Sequence, residues 1–75
     1  MQPLLLGLDE SIATKKAINL LSDAGIPYEY KNILNTESRL AEMMIALTGS
    51  SEVPQFFAGG ESYVGVEQIR RYIRS

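Results

Sequence analysis

Two hydroxyl side chains, Ser11 and Thr14, stand where an apolar run gives way to a helical pattern. An alcohol at the amino end of a helix lies beside free backbone amides and the positive end of the helix dipole. To act as a nucleophile it also needs a base, and the chain contains neither His nor Cys. A dipole contributes about 0.3–1 kcal/mol at an exposed site, far too little to ionise an alcohol. A serine-hydrolase reading therefore fails. Two roles remain for Ser11: capping the helix, which Ser does well, or touching a ligand. The helix amides themselves can seat a carboxylate or a backbone carbonyl. Lys15 and Lys16 either add positive potential there or form an ordinary solvated face, and Arg70, Arg71 and Arg74 are open to the same two readings.

The elements that must position these groups follow from hydrophobic spacing. Leu4-Leu5-Leu6-Gly7-Leu8 reads as a buried strand, with Pro3 at its start and Asp9-Glu10 beyond its end. Ala13, Ala17, Leu20, Leu21 and Ala24 then recur at intervals of three and four, which predicts a helix. Asp9 or Ser11 caps it, and Gly25 stops it where a left-handed residue is wanted. After Ile26-Pro27, Tyr28, Tyr30 and Asn32 alternate with Glu29, Lys31 and Ile33 in a second strand. Asn35 or Thr36 is placed to cap a second helix whose apolar face is Leu40, Met43, Met44 and Leu47. Phe56-Phe57 and Tyr63-Val64 flank a Gly59-Gly60 hairpin. A last helix turns Val66, Ile69 and Ile73 inward and Arg70, Arg71 and Arg74 outward.

The order is strand, helix, strand, helix, strand, strand, helix. The first two strands should be parallel and the last two an antiparallel hairpin on the same sheet. The expected class is α/β, a four-stranded mixed sheet flanked by three helices in one domain over residues 1–75. Composition narrows the function. A net charge of −2 lacks the basic field of a general nucleic-acid binder. The longest apolar run is too short to span a bilayer, and the chain start has no basic signal-peptide region. Without Cys and His, no metal site is expected. A soluble cytoplasmic monomer is the expectation.

Several fragments, weak singly, hold together in order. Ala17, Leu20-Leu21 and Gly25-Ile26-Pro27-Tyr28-Glu29 follow the first strand at the spacing of a glutaredoxin, and Glu52-Val53-Pro54 falls where that family has Thr-Val-Pro. Phe57, Gly60, Val64, Gly65, Glu67 and Ile69 resemble the family's closing run. From about residue 4 to residue 73 the chain thus resembles a glutaredoxin, or a related small thioredoxin-like electron donor. The resemblance implies a thioredoxin-like fold with a cis Pro54. It also implies a redox-active centre for electron transport by disulfide exchange, with the Cys-x-x-Cys pair falling on Ser11 and Thr14. Glutathione, or a disulfide-bearing protein such as a reductase, would be the partner, with no covalently held cofactor. By the same resemblance, Val53 offers its backbone polar groups to an extended peptide beside Pro54. Gly65 and Val66, at the start of the last helix, would hold an α-amino or carboxylate group, and Glu67 suits an ammonium.

The departures carry equal weight. Both cysteines are missing, Glu52 replaces the usual Thr, and Val64 replaces the first Gly of a pair. Leu8 stands near the place of a customary Lys. In a dithiol protein the helix start lowers a thiol pKa from about 8.5 so that it ionises, and the second thiol resolves the mixed disulfide. Neither Ser11 nor Thr14 can do this. The polypeptide as written is expected to be inert in thiol exchange, either as a scaffold of the electron carrier or as a non-catalytic module that docks a peptide or protein.

Overall fold

Leu5 and Leu6 are both fully buried although adjacent side chains of a strand point to opposite faces, so the first strand must lie inside a sheet covered on both sides. The computed structural model, which describes residues 2–34 and 39–75, shows this arrangement. Strand β1 (Leu4–Gly7) pairs parallel with β2 (Glu29–Asn32) and antiparallel with β3 (Gln55–Ala58). Strand β4 (Glu61–Val64) closes the hairpin with β3, and the sheet order is β2-β1-β3-β4. The expected mixed sheet with three helices is what forms. The first strand stops at Gly7, however, and does not run through Leu8, because Thr14 captures the Leu8 amide.

Helices α1 (Ile12–Asp23) and α3 (Val66–Arg74) cover one face. There Leu5, Ala17, Leu21, Phe56 and Ile69 form the larger core. Phe56, Tyr63 and Tyr72 meet in an aromatic cluster with centroids 5.0–6.3 Å apart, so Tyr63 is a packing residue. Tyr72 packs against this core from α3 together with Ile69 and Ile73. Helix α1 ends through Ala24, which is exposed, and Gly25 follows at φ +70. The hairpin turns on Gly59 and Gly60, both at positive φ, as a tight two-residue turn demands.

Helix α2 (Leu40–Thr48) lies alone on the other face, where Leu6, Leu40 and Met44 form a smaller core. Its apolar face is narrower than its sequence suggests. Met43 and Leu47 were expected inward but are 44% and 66% exposed. A nine-residue helix with no helical neighbour on that face buries only the row that meets the sheet. The expected caps Asn35 and Thr36 lie outside the described residues. Arg39 holds the N-cap position at φ +51 without a side-chain cap bond. Among the described residues, no helix is long and apolar enough to cross a membrane.

Candidate functional site

The start of α1 is built by both hydroxyls. Ser11 has the extended backbone of an N-cap, and its Oγ accepts the Thr14 amide at 3.2 Å. Of the two roles left open for Ser11, capping is the one the geometry displays. Thr14 is completely buried, and its Oγ1 accepts the Leu8 amide at 3.2 Å. A Cβ on Gly7 would stand 2.6 Å from the Thr14 methyl and hydroxyl, so only glycine leaves room for this packing. Asp9, the other candidate cap, instead accepts the Tyr30 hydroxyl at 2.6 Å. That bond, with a second from Asn32, holds the Asp9 carboxyl below its ordinary pKa. Partial burial, then the Asp9 contact, pushes the Tyr30 phenol up to about 12. The pair ties β2 to the loop that leads into α1.

The second wall of the site is the turn before β3. The Val53–Pro54 bond is cis, as the resemblance implied. Pro54 is buried, and its carbonyl accepts the Gly65 amide at 2.8 Å, which joins the turn to the start of α3. Gln55 fastens the turn from beneath. Fully buried, it donates through Nε2 to the carbonyls of Ser50 at 2.9 Å and Glu52 at 3.0 Å. Its Oε1 lies 2.9 Å from the Thr48 hydroxyl, which is equally close to the Met44 carbonyl in the last turn of α2. No buried side-chain polar atom among the described residues lacks a partner.

A cleft of about 520 Å³ opens between these pieces. Ala13 of α1 faces Glu52 and Val53 of the turn, with Gly65, Val66 and Glu67 at the head of α3. The structure therefore brings together Val53, Gly65, Val66 and Glu67 of the expected binding residues. Pro54 and Thr14 are buried behind the surface, and half-buried Ser11 is not among the lining residues either. Lys15 and Lys16 stand exposed outside the lining, so the cations within it reduce to Arg71, set against the carboxylates of Glu52 and Glu67. Glu67 is bridged to Arg70 at 3.0 Å. Sequence reasoning missed Ala13 as a lining residue and Gln55 as a brace, while of the arginines left open to a ligand role only Arg71 lines the cleft. Neither small nor buried polar residues announce such roles in a one-dimensional pattern. Among the described residues, no group of His, Cys, Asp and Glu is arranged to hold a metal ion.

Residues 13–63 match the family model described as Glutaredoxin, a stretch that runs from Ala13 in α1 through the cis-proline turn into β4. The chain belongs to the glutaredoxin family. In solved structures, the same fold appears in the glutaredoxin of Archaeoglobus fulgidus, with a TM-score of 0.83 and 22% identity over 99% of this chain and 87% of that one. The buckwheat glutaredoxin–glutathione complex gives 0.83 at 16% identity, over 96% of this chain and 67% of that one. A Drosophila mojavensis glutathione transferase homolog with bound glutathione gives 0.79 at 23%, over 96% of this chain but only 33% of the longer one. At these identities the likeness concerns the fold. A search of curated proteins found no match.

Within this glutaredoxin scaffold the expected redox-active centre is absent, and that expectation is corrected. Disulfide exchange needs a thiolate, and none of the 75 residues is a cysteine. Ser11 and Thr14, on which the resemblance sets the sulfur pair, form a helix cap and a buried latch.

Proposed function

We propose that this glutaredoxin-family chain is a docking module: its cleft holds an extended thiol-peptide backbone, of the glutathione kind, or a segment of a partner protein, without covalent turnover. Residues 1–75 act as one unit in this reading, in the cytoplasm. The observation that carries it is the survival of the binding walls where the sulfur chemistry has gone. Val53 beside a cis proline faces Ala13 and the head of α3 across an open cavity, with the turn braced by Gln55. The choice of ligand is supported by two solved structures of the same fold, the buckwheat glutaredoxin–glutathione complex and the Drosophila mojavensis glutathione transferase homolog with bound glutathione.

Amide chemical-shift mapping with S-methylglutathione, which cannot exchange, tests the reading. The expected shifts fall on Ala13, Val53, Gly65 and Val66. No shifts at millimolar ligand, or shifts confined to Met43 and Leu47 on the opposite side of the sheet, would overturn it.

A further inference from the structure

The side chain of Glu52 enters the cleft at one particular place. Its Oε2 lies 3.0 Å from where a Cβ on Gly65 would stand, in the notch left by that residue's missing side chain. Gly65 is the N-cap of α3, a nine-residue helix that has no side-chain cap bond. The amino end of a helix attracts negative charge, so a carboxylate in the notch is in favourable surroundings. Its backbone is pinned from both sides. The Glu52 amide donates to Ser50 Oγ at 3.0 Å, and its carbonyl accepts from the buried Gln55 at 3.0 Å. The placement is therefore part of the braced turn.

We infer that Glu52 is a specificity-determining residue of the cleft: its carboxylate occupies the anion-attracting notch at Gly65, so that a docked peptide must bring a neutral or cationic group there, not a carboxylate. The inference rests on the docking reading above and adds the charge of the ligand it selects. Two carboxylates forced within about 4 Å repel by about 1 kcal/mol even in bulk water, which converts to about a fivefold loss of affinity. Arg71 and the Arg70–Glu67 pair remain in every variant considered below, so comparing variants isolates position 52.

The experiment compares S-methylglutathione with its dimethyl ester, titrated by amide chemical shifts against the unaltered chain, Glu52→Gln and Glu52→Thr. Glu52 is exposed, so both variants should fold, and their spectra report it directly. The expected result is an affinity ratio, acid over ester, that rises about fivefold or more in both variants. An unchanged ratio, with binding still mapped to Val53 and Gly65, overturns the inference and leaves the docking reading standing. Relief by Glu52→Thr but not by Glu52→Gln also overturns it, since bulk and not charge would then control entry. If neither probe moves a cleft amide in any of the three proteins, the docking reading fails and the inference falls with it.

Discussion

The resemblance sets the family's two sulfurs on Ser11 and Thr14, whose surroundings are not alike. Ser11 is half-buried at the N-cap of α1, where a thiol would be stabilised as its anion by the first-turn amides. Thr14 is sealed beneath Gly7, with its hydroxyl holding the Leu8 amide. A thiol at position 14 would be a much weaker acceptor for that amide and could not meet a docked disulfide from behind the cleft surface. Only the first position can regain chemistry by a single substitution. Incubated with excess oxidised glutathione, the Ser11→Cys thiolate should attack one sulfur, release one reduced glutathione and leave a one-to-one mixed disulfide that no second protein thiol resolves, whereas the unaltered chain forms none. Intact-protein mass spectrometry reads both. An unmodified Ser11→Cys chain would show that the helix start is not reached from the cleft.

At the scale of elements, the site depends on a turn that contributes no regular structure. Residues 50 to 54 are held by Gln55, which links the Ser50 and Glu52 carbonyls to the Thr48 hydroxyl at the end of α2. Removing such a side chain leaves several poorly hydrated groups unpaired, at about 1–3 kcal/mol for each one that stays buried. Gln55→Leu should therefore lower the unfolding free energy by about 2–3 kcal/mol, measured by urea denaturation, and should broaden the Glu52 and Val53 amide signals. A stable variant with sharp signals there would mean that the Pro54–Gly65 hydrogen bond alone holds the turn.

The whole molecule is small, so its larger core dominates. A chain of this length is expected to be stable by about 4–11 kcal/mol in total. Phe56 is fully buried at the centre of that core and touches the aromatic rings of β4 and α3. Truncating such a residue costs about 3–5 kcal/mol. Phe56→Ala should therefore leave a marginal or largely unfolded population at 25 °C, visible as a collapse of amide dispersion and a lost thermal transition. The opposite face is less finished: one short helix covers it, and Met43, Ile45 and Leu47 remain exposed. Substitutions at those three positions lie outside the core that Phe56 anchors.

What could be read along the chain was local. Helix starts and stops, the alternation in β2 and the Gly59-Gly60 hairpin depend on the conformational preferences of a few neighbouring residues. The order of elements, a cap at Asp9 or Ser11 and the loss of sulfur chemistry were legible for that reason. Tertiary structure alone decided which apolar row of α2 is covered, that Thr14 packs under Gly7, and that Glu52 reaches Gly65 across the cleft. These outcomes depend on elements distant in sequence meeting in space. Spacing along one strand or helix does not encode what its neighbour will bring.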